Sequence, residues 1–212
     1  MEKYYKFRNN TLFTHGYTWA MSIIPKSSTD SFSCPECGIR HNAPSGAFDV
    51  IVEGGSKYPD VLGCGAYPFL ILSEAIINDW KEAGINAFAT FPVNIAKVKS
   101  KKLLSVHPPR YFRVEITGTC KINLEASGYS LLPRSTRCNH SRLEKIGTKG
   151  MFMVPGSWDG TPLFRDHEIF PRLNFCTEII VELARKHKRT NFRFVLLEDA
   201  EDPPGKGLEY LK

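Results

Sequence analysis

The chain has 212 residues, 42% of them hydrophobic and 12% aromatic, and a formal net charge of +6. That is enough apolar material to bury a core, which excludes an intrinsically disordered chain and a miniature fold that needs disulfide staples. No apolar run approaches the roughly 20 residues that cross a bilayer, and Met1 to Lys6 lacks the basic start and apolar core of a secretory signal, so a cytoplasmic protein with no membrane partner is expected.

From Tyr4 to Ile24, aromatic and apolar residues (Tyr5, Phe7, Tyr17, Trp19, Met21, Ile23) alternate loosely with polar ones, which predicts a pair of strands around Asn9-Asn10. Pro25 to Asp30 is a polar loop leading into Cys34-Pro35-Glu36-Cys37-Gly38. Two thiolates separated by two residues, with Pro35 stiffening the turn and Gly38 free to take a positive φ, form the knuckle that wraps one side of a tetrahedral zinc ion. Phe48 to Glu53 then reads as a strand closed by Gly54-Gly55.

The next unit has helix grammar. Ser73 suits an N-cap, Glu74 complements the helix dipole, Ile76, Ile77, Trp80 and Ala83 share a face, and Gly84 ends the helix. A strand follows over Ala87 to Val98. Lys99 to Lys102 is a short basic turn and His107-Pro108-Pro109 a rigid one. Tyr111 to Thr117 alternates as a half-buried antiparallel strand, with Lys121 to Glu125 expected to pair with it across Gly118.

Gly128 to Gly150 is turn-rich and contains Cys138-Asn139-His140 in a basic, polar setting. Gly156 to Phe164 is an irregular loop with large apolar anchors, where Trp158 reads as a core or turn residue ahead of a partner anchor. The final unit repeats the earlier grammar: Thr177 caps, Ile180, Val181, Leu183 and Ala184 form the helical face, and Phe192 to Glu198 is a strand. At an offset of 104 residues, Ser73-Glu74 falls on Thr177-Glu178, Ile76-Ile77 on Ile180-Val181 and Phe88 on Phe192. Each match is a type that any capped amphipathic helix would choose, so shared grammar rather than a duplicated half is expected. The expected architecture is one α+β domain over 1–198. It has a largely antiparallel, aromatic-rich sheet, two main helices and metal-held loops around 31–41 and 134–142, with 199–212 as a frayed tail.

Six cysteines stand at 34, 37, 64, 120, 138 and 176. In a chain this long with a CxxC and no export signal, metal binding accounts for them better than disulfides. Cys34, Cys37, Cys138 and His140 would make a closed, structural Cys3His zinc site; His41 or Cys120 would replace His140 if the one-residue spacing from Cys138 is too tight. Cys64 and Cys176 read as small buried apolar residues. No phosphate loop, GxSxG elbow or HExxH helix appears, and the histidines have no obvious nucleophile beside them, so an enzyme is not expected. The basic clusters at Lys97 to Lys102, Arg134 to Arg142 and Arg185 to Arg189 lack interleaved aromatics and read as solvated faces.

The chain resembles the bacterial double-CXXCG motif proteins. The likeness rests on Cys34 to Gly38, Tyr58 to Leu62, Leu72-Ser73-Glu74, Ala83-Gly84-Ile85, Tyr111 to Gly118 and Phe175 to Phe194. Where the family would show a second CxxCG, this chain has Cys138-Asn139-His140-Ser141. The resemblance implies an immunity protein that binds and neutralises a cognate toxin delivered on contact. The alternative is a nucleic-acid binder built on a zinc ribbon, which the positive charge suits.

Overall fold

The computed structural model describes residues 2–9, 16–23, 32–33, 40–41, 48–64, 70–132, 142–146 and 150–200. In chain order the first elements are β1 (Tyr4–Asn9), β2 (Trp19–Ile23), β3 (Phe32–Ser33), β4 (Arg40–His41), β5 (Phe48–Glu53), β6 (Val61–Cys64) and β7 (Leu70–Ser73). They are followed by α1 (Glu74–Glu82), β8 (Phe88–Val98), β9 (Tyr111–Ile116), β10 (Tyr129–Leu132) and β11 (Arg142–Lys145). The chain closes with β12 (Leu163–Phe164), β13 (Asn174–Thr177), α2 (Glu178–Lys186) and β14 (Phe192–Leu196). The fold is α+β and mostly sheet.

Two four-stranded units with one plan dominate it. The first runs in the order β6-β7-β9-β8 and the second in the order β12-β13-β1-β14, with every neighbouring pair inside them antiparallel. The registers coincide as well as the order. Leu72 pairs with Val61 and Phe112, while Cys176, 104 residues later, pairs with Leu163 and Tyr5. Phe88 pairs with Ile116, and Phe192 with Asn9. Shared helix–strand grammar does not dictate strand order or register, so the likeness read at this offset is a structural repeat.

The second repeat takes its inner strand from the other end of the chain. β9 follows β8 directly, whereas β1, its counterpart, is the first strand of the protein. The expected pairing of the two N-terminal strands is therefore not what forms: β1 lies between β13 and β14, and β2 pairs with β5 and β6. Likewise 121–125 does not pair with β9, whose two edges are already taken by β7 and β8; Ile122 instead bridges Met153.

Alternation along the strands gives each repeat two faces. One face of each meets the other repeat in a shared core: Val61, Leu72, Ile76, Ile77 and Val114 from the first, and Leu163, Cys176, Ile180, Val181 and Phe7 from the second. The opposite faces are covered in different ways. In the first repeat β8 continues past its pairing with β9 and runs parallel to β5, and β2 runs parallel to β6, so the sheet closes as a six-stranded barrel filled by Ala20, Val50, Val52, Leu62, Ile71 and Val93. In the second repeat a lobe formed by Ile122, Tyr129, Leu143, Met151 and Phe170 packs against Phe164 and Phe175. The 3-10 turn Leu197–Asp199 and buried Ala200 extend the folded part past the expected boundary at 198.

The helix ends correspond atom for atom. Ser73 and Thr177 are extended, but neither hydroxyl caps its helix, contrary to the expectation; the Ser73 Oγ donates to Asp60 instead. At the other end Gly84 N–H bonds the Lys81 carbonyl and Lys188 N–H that of Arg185, with Ile85 to Trp80 and Arg189 to Ala184 one residue on. Both positions are left-handed, with φ +74° at Gly84 and +51° at Lys188. Glycine takes that conformation without strain and lysine does not.

Lys188→Gly is therefore expected to stabilise the protein by about 0.5–1 kcal/mol, read as a rise in denaturation midpoint. Gly84→Ala is expected to lower it by a similar amount, and since no atom lies within 4 Å of an added Cβ there, the loss would be purely backbone strain.

Candidate functional site

The residues expected to hold zinc lie outside the described residues: Cys34 and Cys37 within 34–39, and Cys138 and His140 within 133–141. What is described is the frame on either side of them. Ser33 pairs with Arg40 and Phe32 with His41, antiparallel, so the Cys34–Cys37 segment joins two paired strands. Leu132 pairs with Arg142 and Leu131 with Leu143, so Cys138 and His140 also fall between the strands of a hairpin. Counted at 104 residues, Cys34 falls on Cys138 and Cys37 on Ser141, but the step between the repeats is already 102 at β6 and β12, where Val61 answers to Leu163. Each repeat is thus preceded by a pair of strands with a cysteine in the segment between them. Among the described residues no group of three or more His, Cys, Asp and Glu side chains is placed to hold a metal.

Cys120, the alternative ligand, is among the described residues. It sits in the core over the second repeat, where burial, with Asp166 and Asp159 adding negative potential, pushes its thiol up to about 12. Cys176 is fully buried and its thiol is raised by that burial, in keeping with its reading as an apolar core residue, while Cys64 is only half-buried.

The densest polar cluster joins the two repeats. Asp60, in the turn before β6, accepts the Ser73 hydroxyl at 2.9 Å through one oxygen, and the Thr190 amide and hydroxyl, each at 2.9 Å, through the other. Its own amide donates to the Thr190 hydroxyl at 2.8 Å, and the Asn191 side-chain amide reaches the Val61 carbonyl at 2.7 Å. Arg189 grips Asp79 of α1 with two prongs, Nε to Oδ2 at 2.6 Å and Nη2 to Oδ1 at 2.9 Å, and stands 3.6 Å from Asp60. His187 Nδ1 lies 3.1 Å from Asp79 Oδ1. Hydrogen bonding to Asp79 holds the Arg189 guanidinium above its ordinary pKa against the opposing effect of burial.

This joint was hidden in the sequence. The Arg185 to Arg189 cluster reads as a solvated face, yet Arg189 turns inward because the left-handed residue before it reverses the chain into the α1–α2 contact. The clue available is positional: Arg189 falls on Ile85 under the repeat, and Ile85 is buried. His187 occupies the C-cap of α2, with Asp79 as its partner.

The loop carrying Trp158 is also structural. The indole Nε1 donates to the Thr161 carbonyl at 2.9 Å, and the ring packs edge-on to Tyr4 and tilted against Phe164. Burial raises the Asp159 carboxyl, but hydrogen bonds from Thr161 and Thr119 outweigh it and hold the group below its usual range. Asp166 is buried and accepts the amides of Ile122, Glu168 and Ile169.

The end of β8 and the connection to β9 carry Lys97, Lys99, Lys101, Lys102 and Arg110 in sequence with exposed Leu104 and Val106. No helix among the described residues is long and apolar enough to cross a membrane. No family model matches the chain, and no curated protein matches it.

Two expectations follow. Arg189→Ala leaves Asp79 and Asp60 without their cation and should cost about 2–3 kcal/mol after allowing for partial exposure, measured by chemical denaturation, with Arg189→Lys between it and the parent because it lacks the two-pronged grip. In the native protein at pH 8, Cys120 should resist alkylation, since a thiol titrating near 12 is ionised in roughly one molecule in 10⁴; mass spectrometry after denaturation and counter-labelling reads this directly.

Proposed function

We propose that the chain is an immunity protein. It binds a cognate bacterial toxin in the cytoplasm and neutralises it stoichiometrically without turning over a substrate. The observation that carries this reading is where the family-like segments fall. Tyr58 to Leu62, Leu72 to Glu74, Ala83 to Ile85, Tyr111 to Gly118 and Phe175 to Phe194 supply the strands, helix ends and joint of the two repeats. A resemblance concentrated in residues that fix strand register and domain joint is what a common binding scaffold would leave, with its recognition surface free to vary.

Zinc belongs to this reading as a structural tie. Cys34 and Cys37 from the first hairpin, with Cys138 and His140 from the second, would complete four ligands and leave no position for a reactive water. Supporting it are the antiparallel pairs that bracket both segments. Bound zinc would fix the two hairpins to each other.

The second reading, a zinc-ribbon nucleic-acid binder, draws on the +6 charge and on the two cysteine-bearing hairpins. It requires an affinity that falls steeply with salt, and a gel shift at low ionic strength that shows no complex removes it.

Production of this chain together with the protein encoded immediately upstream of it is expected to rescue growth and yield an equimolar complex. Unrelieved toxicity with the chain present in excess overturns the immunity reading. Protein purified without chelator is expected to carry about one zinc per chain, as a single four-ligand site requires, and Cys34→Ser/Cys37→Ser to carry none; equal metal content in the two would refute the tie.

A further inference from the structure

We propose that the connection from Lys97 to Arg110 is the docking surface for an acidic protein; on the reading above, that protein is the toxin. The segment holds five Lys and Arg and no Asp or Glu. Two of the cations are spoken for: Lys99 pairs with Glu53, and Arg110 with Glu74 at 2.7 Å. Lys97, Lys101 and Lys102 have no acidic partner among the described residues and are exposed. Between these cations and Arg110, Leu104-Ser105-Val106 is an uncharged summit whose apolar side chains remain 68% and 46% exposed.

The summit is held in place from below and at both ends. Leu103, within the 3-10 turn Lys101–Leu103, is 1% exposed and plugs the barrel core. The Lys99 amide bonds the Val52 carbonyl, the Ser100 hydroxyl bonds that of Gly55 at 2.7 Å, and the Leu103 and Val106 amides close successive turns. At the far end Pro108-Pro109 leads to Arg110, which lies over the Phe112 ring at 5.6 Å as well as pairing with Glu74. A preorganised segment loses little freedom on binding. An apolar, charge-free centre with a charged rim is the layout of a protein interface, and a rim of one sign selects a partner of the other and speeds its approach. Anionic lipid fits less well, because no tryptophan or tyrosine stands among the exposed summit residues to seat at a headgroup boundary. Nucleic acid fits less well because no aromatic ring is exposed there for a base to stack on.

The test uses the full chain and the protein encoded immediately upstream. Lys97→Glu/Lys101→Glu/Lys102→Glu should slow association roughly tenfold or more with little change in dissociation. Leu104→Ser/Val106→Ser should speed dissociation, and either variant should weaken protection while melting like the parent. Independently of any variant, association of the parent should slow as salt rises. If the parent protects and both variants match it, the surface is wrong and the immunity reading stands. If the parent does not protect, that reading fails and this one with it. Charge-dependent binding of the parent to phosphatidylglycerol vesicles or to a 20-nucleotide single strand, with toxin binding untouched by the substitutions, reassigns the loop and overturns the proposal.

Discussion

The contact on which the architecture depends is the one between Arg189 and two carboxylates, Asp79 and Asp60. It is the point where the two repeats are locked in position, because each carboxylate belongs to the first repeat and the guanidinium to the second. Apolar burial alone would let two similar sheet faces slide, since a methyl group packs acceptably at several registers. A two-pronged Arg–Asp pair, with Thr190 and Asp60 exchanging hydrogen bonds beside it, does not tolerate such a slip. The shared core supplies the bulk of the attraction and the polar joint selects one arrangement of it.

The repeat also makes the ends of the chain depend on each other. β1 is the inner strand of a sheet whose other members arrive more than 150 residues later, so the second repeat is incomplete until the N-terminus returns to it. Phe7 does there what Val114 does in the first repeat, facing the common core. The first repeat has all its strands in sequence and closes its own barrel with β2 and β5. Contacts in it are more local, which makes it the cheaper half to form first, with the N-terminal strand captured afterwards.

Much of the chain was legible from periodicity. α1 and α2 begin and end within a residue of where Ser73, Gly84 and Thr177 place them, and β5, β8, β9 and β14 form where strands were expected. Strand partners were not legible, because alternation fixes which side chains face inward and says nothing about which neighbour a strand finds. Asn9-Asn10 looks like a turn between paired strands, yet β1 is drawn away by β13 and β14, which offer Phe175, Phe194 and Leu196. The 104-residue offset was visible in side-chain types but became evidence of a repeat only when hydrogen-bond registers and the left-handed residues at Gly84 and Lys188 fell on the same step. Asp60 and Arg189 escaped notice because neither sits in a motif; a paired charge leaves no mark in sequence when its partner is 110 or more residues away. The candidate zinc ligands Cys34, Cys37, Cys138 and His140 lie outside the described residues, and only the paired strands on either side of them are seen.

The asymmetry between the repeats bears on where a partner would bind. In the first repeat the chain must travel from β8 back to β9, and the connection that does so carries the lysines with Leu104 and Val106. In the second, β14 and β1 are adjacent strands with no direct connection, since one comes near the end of the chain and the other at its start; the step that follows β14 is the turn Leu197–Asp199, whose Leu197 is absorbed into the lobe over Phe164 and Phe175. The two halves are alike where they face each other, because the common core requires it. They differ where they face away, because nothing in that core constrains the outer cover. A scaffold of this kind can change its outward loops without disturbing the joint, and the exposed Leu104 and Val106 stand on the one β8–β9 type of connection that the topology provides.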